Sequence, residues 1–195
     1  MKRAFTLVDA VIVLAIVLFL AVILFPVFMR NERPRWGSCQ SHLKQIGLGF
    51  LQYTQDAADT FPPTGTTDST SWADVIQPYI KSTAIFQCGS TQNHTLPLTD
   101  YFYNSRVAGV QMSAFELTAQ TILTGDGADD APTWASLSQL PASWKSDRKS
   151  PSRRHFEGTA NYGFADGHVK WFKPARVNSK FSDKGYPTFA LAKSP

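Results

Sequence analysis

Cysteines and catalytic motifs are scarce in this 195-residue chain. Its two cysteines are too few for a disulfide-rich scaffold, although they suit a single staple in an exported domain. The sequence contains no HExxH motif, no phosphate-binding glycine loop and no motif context for a Ser-His-Asp triad. These absences leave an enzymatic function unsupported, and we expect a protein that is not an enzyme and needs no cofactor.

The net positive charge of the chain is also small outside its N-terminal segment. Lys2 and Arg3 precede a long apolar run, and the rest of the chain carries 17 basic and 15 acidic residues, which is no polycation. The charged residues are mainly acidic over residues 56–130 and mainly basic over residues 145–184. We favour two solvated faces that partly neutralise each other within the fold; the alternative is complementary patches that meet between subunits. Nucleic acid is not a favoured partner.

The most prominent feature present is an apolar run over residues 5–29. Of its 25 positions, 22 are apolar, and only Thr6, Asp9 and Pro26 interrupt it. As a helix rising about 1.5 Å per residue, it is long enough to cross a hydrocarbon core of roughly 30 Å. No small-x-small cleavage site follows, which argues against a secretory signal peptide. The basic start favours a cytoplasmic N-terminus and therefore an extracytoplasmic remainder.

The sequence Lys-Arg-Ala-Phe-Thr-Leu-Val-Asp at residues 2–9, followed by unbroken apolar residues, resembles the N-terminus of type IV prepilins. The resemblance implies a leader at residues 1–4, cleavage between Ala4 and Phe5 by prepilin peptidase, and N-methylation of Phe5. The family usually has glycine before the cut and glutamate at the fifth mature position, where this chain has Ala4 and Asp9. The resemblance also implies that Asp9 pairs with the terminal ammonium of a neighbouring subunit during assembly. The alternative is an Asp9 that is merely hydrated at headgroup level.

A second helix is predicted after the apolar run. Five residues recur at spacings of three and four, which places them on one helical face: Cys39, Leu43, Ile46, Phe50 and Tyr53. We expect an amphipathic continuation of the stalk within residues 30–60, packed on a globular domain over residues 61–195. In that domain we expect a short helix from Trp72 to Tyr79 with Ser71 as its N-cap.

Strand-like composition occurs at residues 101–104 and 121–124, whereas residues 126–152 read as a loop. Residues 161–172 predict two short strands around the Asp166-Gly167 turn. A small antiparallel sheet packed on the long helix gives an α+β, pilin-like fold.

The segment from Arg153 to Trp171 resembles the prepilin-type processing-associated H-X9-DG domain, although ten residues rather than nine separate His155 from Asp166. We expect a loop or bulge in residues 156–160 to absorb the extra residue. A structural role is favoured for His155, Asp166 and Gly167, with His155 bonding the turn. The alternative is a metal site or an acid/base pair that includes His168.

Two further sites are candidates. Cys39 and Cys88 predict one disulfide, with two buried free thiols as the alternative. Oxygen ligands for calcium are offered by Asp126, Asp129 and Asp130, but their spacing departs from the EF-hand pattern, and a solvated acidic loop is favoured.

Together the two resemblances imply a pilin or pseudopilin, a structural subunit of a type IV pilus-like or type II secretion-like filament. Its implied partners are prepilin peptidase, the inner membrane, and copies of itself or other pilins. It would span the inner membrane once and then enter a periplasmic or cell-surface filament. The alternative is an uncleaved, membrane-anchored extracytoplasmic binding module or enzyme.

Overall fold

A computed structural model describes residues 7–29, 36–65, 71–91, 97–181 and 184–192. The chain divides into two compact units, Met1–Pro34 and Arg35–Pro195. Each unit is described by itself.

The first unit contains α1, Leu7–Met29, which is built almost entirely from aliphatic residues and phenylalanine. Asp9, in its first turn, is the one charged residue of this helix. The side chains of Leu7–Leu24 are exposed, and this stretch is long and apolar enough to cross a membrane. A membrane anchor and a signal sequence are both compatible with such a helix at this position.

The second unit begins with α2, Trp36–Asp56. The predicted helical face is confirmed, because Cys39, Leu43, Ile46 and Phe50 are fully buried, whereas Tyr53 is only partly so. Gly49 allows a close approach, since a Cβ there would lie 2.8 Å from Cγ1 of Ile80.

The short helix α3, Trp72–Ile76, is followed by a 3-10 turn, Gln77–Tyr79, so the predicted element is present. Ser71 caps it, and its Oγ accepts a hydrogen bond from the Asp74 N–H at 3.1 Å. Trp72 and Ile76 are fully buried in this element, whereas Val75 and Tyr79 are only partly buried. The remaining α-helix described, α4, is Ala142–Ser146.

A five-stranded sheet forms the centre of the second unit. Its strands are β1 Thr99–Asn104, β2 Ile122–Ala131, β3 Ser136–Leu137, β4 Ala160–Phe164 and β5 Val169–Phe172. Their order is β3-β1-β2-β4-β5, with β3 parallel to β1 and the other neighbours antiparallel. The α+β class is therefore confirmed, whereas the expectation of a purely antiparallel sheet is wrong because of β3.

The predicted loop over residues 126–152 is also wrong. β2 continues through Asp126 to Ala131, and β3 and α4 occupy part of the remainder. Glycine and aspartate are poor strand formers, but the pairing of Asp126 and Ala131 with β1 outweighs the local preference. Gly127 fits this crowded position, since a Cβ there would lie 2.8 Å from the backbone of Tyr101 and Phe102.

The hairpin of β4 and β5 is confirmed, with Gly167 in its turn at a φ of 82°. A Cβ on Gly167 would lie 2.7 Å from Cδ1 of Leu51 in α2. Lys44, also in α2, donates a hydrogen bond from Nζ to the Gly167 carbonyl at 2.6 Å. The turn is thus fixed by its own backbone geometry and by contact with α2.

The two faces of the sheet carry separate apolar clusters. On the α2 face, Leu43, Ile46 and Phe50 pack with Tyr101, Tyr103 and Leu123. On the opposite face, residues of the sheet pack against the C-terminal segment and the chain before α4: Phe102, Ile122, Tyr162, Phe164, Leu140, Val177 and Phe189. Phe50 is central to the first cluster, because its ring stacks on Trp72 and Tyr103 with centroids 5.6 and 4.8 Å away.

The substitution Phe50→Ala tests this packing. It should lower the free energy of unfolding by about 3–5 kcal/mol, because a fully buried aromatic ring leaves a cavity. Leu48→Ala on the exposed side of the same helix is the control and should cost about 0.5 kcal/mol or less. Urea denaturation of the detergent-solubilised chain measures both, and equal losses would contradict the assignment of the buried face.

Candidate functional site

The residues of the predicted prepilin motif lie mostly outside the described part of the chain. Ala4 and Phe5, the predicted cleavage and methylation positions, are not among the described residues. Asp9 lies in the first turn of α1. Cleavage, methylation and the assembly role of Asp9 therefore stay predictions.

Cys39 and Cys88 form a disulfide in the second unit. Both residues are fully buried, and the bond ties the first turns of α2 to the segment that precedes β1. Because this link closes a long loop, it restricts the unfolded chain as well as fixing the position of the helix.

His155 lies beside this disulfide. Its ligand nitrogen and the two sulfur atoms lie within 4.8 Å of one another. On another side, Nε2 of His155 is 3.0 Å from Oδ2 of Asp126 in β2, and both side chains are almost completely buried. This is an ion-pair distance, but neither imidazole nitrogen makes a hydrogen bond to the described part of the protein.

Asp126 is fixed in this position by β4. The backbone N–H of Asn161 donates a hydrogen bond to Oδ2 of Asp126 at 2.6 Å. That oxygen therefore faces both the Asn161 amide and the imidazole of His155. Oδ1 of Asp126 has no hydrogen-bond partner among the described residues.

The expectation that His155 bonds the Asp166-Gly167 turn is wrong, because His155 faces Asp126 instead. Asp166 pairs with its neighbour His168, with 2.6 Å between Oδ1 and Nδ1, and both side chains of this second pair are more than a third exposed. A compact loop takes up the extra residue of the motif. In it the His155 N–H donates to the Thr159 carbonyl at 3.0 Å, and Glu157 has a φ of 55°.

The three aspartates considered for calcium have different surroundings. Asp126 is buried against His155, whereas the exposed Asp129 forms an ion pair with Arg154. They are not part of any convergent group of three ligands in the described residues. The Arg154–Asp129 pair also joins the basic end of the chain to its acidic middle, which agrees with neutralisation within the fold.

One convergent group of metal-ligating side chains occurs among the described residues: Cys39, Cys88 and His155. A metal would need the cysteines as thiolates. Since their sulfur atoms are bonded to each other, the oxidised protein offers only the imidazole from this group.

Unsatisfied polar atoms are concentrated around Asp126 and His155. Both side-chain amide atoms of Asn161 and the hydroxyls of Tyr101 and Tyr162 are buried without hydrogen bonds to the described residues. Burial raises the pKa of both tyrosine hydroxyls, and the Asp126 carboxylate raises them further. Buried polar atoms are normally paired, so this concentration indicates a place for water or a ligand.

A cavity of about 160 Å³ opens from this cluster to the surface. It is lined by His155, Phe156, Glu157, Thr159, Asn161 and Trp171. Asn161 and Trp171 are directly opposed in the β4–β5 ladder, so their side chains share one face of the hairpin. Phe156 and Trp171 are 71% and 52% exposed at the mouth, whereas Asn161 is 1% exposed.

Sequence reasoning missed the cavity and the Asp126–His155 contact. The two-residue alternation of side chains in the predicted hairpin places Asn161 and Trp171 on one face, and this pattern could have indicated the cavity wall. No local pattern connects His155 to Asp126, because strand pairing between β2 and β4 brings them together.

Removal of the Asp126 carboxylate tests the importance of the buried cluster. Asp126→Ala should lower the free energy of unfolding by about 3 kcal/mol or more, since it leaves the buried Asn161 N–H without its acceptor and the buried His155 imidazole without its ion-pair partner. The matched control is Asp166→Ala in the exposed Asp–His pair, which should cost about 1 kcal/mol or less. Chemical denaturation near neutral pH compares the two, and similar losses would refute a special role for the buried pair.

Comparison with known proteins adds no family assignment. No family model matches the chain, and no curated protein or solved structure matches it significantly.

Proposed function

We propose that this protein is a pilin-like structural subunit, processed by prepilin peptidase and assembled into a type IV pilus-like or type II secretion-like filament. The observation that carries the proposal is α1, an apolar helix with one carboxylate in its first turn. In this proposal the leader at residues 1–4 is removed between Ala4 and Phe5, and Phe5 becomes the methylated N-terminus.

The physical case for assembly rests on two properties of α1. Its exposed apolar side chains need a membrane or neighbouring helices to cover them, because contact with water is unfavourable. A carboxylate near the membrane interior costs several kcal/mol unless it is paired. An ammonium at Phe5 of a neighbouring subunit is a suitable partner for Asp9.

The second unit is suited to coat such a filament. Its amphipathic helix α2 is packed on the sheet and linked by a disulfide, which suits an extracytoplasmic setting. In this proposal the domain crosses the inner membrane, remains anchored by α1, and then enters a periplasmic or surface filament with copies of itself or other pilins.

A second candidate is an uncleaved, membrane-anchored binding module. The cavity beside His155 favours it, because a purely structural subunit has no need for a pocket lined by unpaired polar atoms. The two candidates differ at the N-terminus, which is removed in one and kept in the other.

Intact-mass analysis of the protein from cells that contain a prepilin peptidase separates them. The filament proposal expects a chain that lacks residues 1–4 and carries one N-methyl group on Phe5. Cells without the peptidase should yield the unprocessed chain. Retention of residues 1–4 in both strains would support the anchored module and overturn the filament proposal.

Substitution of Asp9 tests the assembly step. Asp9→Ala should leave cleavage largely intact but reduce incorporation into filaments at least about tenfold, because a lost ion pair in an apolar setting is worth well over 1.4 kcal/mol. Asp9→Glu is the matched control, since it keeps the charge and extends its reach by one methylene. Quantification of the subunit in sheared filament fractions is the measurement, and normal incorporation of Asp9→Ala would rule out the pairing.

A further inference from the structure

The cavity beside His155 combines three features that stability alone does not explain. A buried amide, Asn161, lacks hydrogen bonds to the described residues at both its donor and its acceptor. Two large rings, Phe156 and Trp171, are exposed at the mouth. The loop that carries Phe156 also holds Glu157 at a φ of 55°, which costs a non-glycine residue conformational energy.

The polar atoms restrict the chemistry of a ligand. An unpaired primary amide can donate one hydrogen bond and accept another, which matches the carbonyl and N–H of a second amide. His155 lines the same cavity beside Asn161, and the exposed Glu157 adds a carboxylate near the mouth. The site therefore suits a ligand with an amide at its inner end and hydroxyls towards solvent.

The apolar part of the cavity wall also restricts the chemistry of a ligand. Most of the cavity wall is apolar, and two aromatic side chains flank its mouth. The C–H face of a sugar ring is apolar and packs on such rings, while its hydroxyls remain at the edge. The methyl of an acetamido group is apolar and therefore suits the same wall.

We propose that this cavity binds an N-acetylhexosamine unit of a glycan. The acetamido group reaches Asn161 and His155, the pyranose ring packs against Trp171 and Phe156, and Glu157 accepts a hydroxyl hydrogen bond. This inference goes beyond the proposed filament function and does not depend on it, because every lining residue lies between His155 and Trp171.

An acetylated lysine side chain carries the same acetamido group and is the main competitor. Its narrow aliphatic chain has no hydroxyl for Glu157 and would cover little of two exposed rings. The sugar uses both aromatic rings, the Glu157 carboxylate and the buried Asn161 amide, which is why it is preferred.

Binding is tested on the full detergent-solubilised chain with the disulfide intact. Isothermal titration would use N-acetylglucosamine, N-acetylgalactosamine, chitotetraose and cellotetraose. Chitotetraose and cellotetraose differ in having an acetamido group or a hydroxyl at carbon 2. We expect at least one N-acetylated sugar to bind and cellotetraose to bind at least about tenfold more weakly than chitotetraose, because it leaves the Asn161 amide unpaired.

Two variants and one control locate the site. Trp171→Ala and Phe156→Ala should each weaken binding at least about fivefold, and because both side chains are exposed, the fold should persist. Leu117→Ala removes a partly exposed apolar side chain elsewhere and should leave affinity unchanged. Far-ultraviolet circular dichroism of each variant checks the fold.

Three outcomes would overturn the inference. The first is no binding of any N-acetylated sugar up to about 10 mM, and the second is equal affinity for chitotetraose and cellotetraose. The third is sugar binding that persists in Trp171→Ala and Phe156→Ala. An acetyl-lysine peptide is titrated in parallel, and binding of that peptide in place of the sugars would assign the site to the competitor.

Discussion

Burial of one face of α2 against the sheet is the interaction on which the globular unit depends. Glycine at positions 47 and 49 weakens α2 as an isolated helix by about 1 kcal/mol each relative to alanine, and tertiary packing supplies most of its stability. That packing is provided by Phe50 between Trp72 and Tyr103 and by the hydrogen bond from Lys44 to Gly167. The Cys39–Cys88 bond fixes one end of the same contact.

The buried polar cluster follows from this arrangement. The disulfide places the start of α2 next to His155, and β2 presents Asp126 nearby. Gly127 lets β2 approach β1 closely, where a larger residue would meet the backbone. The carboxylate thus becomes buried by strand pairing and helix packing together, and neither element would bury it alone.

Local signals predicted local structure well. The buried face of α2, the Ser71 cap and the Asp166-Gly167 turn each depend on residues a few positions apart, and each is confirmed. The extension of β2 and the parallel pairing of β3 depend on strands distant in sequence, and both were missed. His155 shows the same limit, because its motif points to Asp166, whereas the fold gives it Asp126.

The buried polar cluster around Asp126 and His155 lowers the stability of the fold, and this loss bears on what the cluster does. Buried polar groups without partners destabilise a fold, and apolar side chains of similar volume are often neutral or stabilising in their place. A filament coat needs a firm core and a suitable surface, and the apolar clusters on both faces of the sheet already supply the core. The unpaired Asn161 amide and the strained Glu157 lie instead where the cavity opens between exposed rings. In the proposed complex, the acetamido group of the glycan pairs with the buried Asn161 amide and thereby offsets part of this cost.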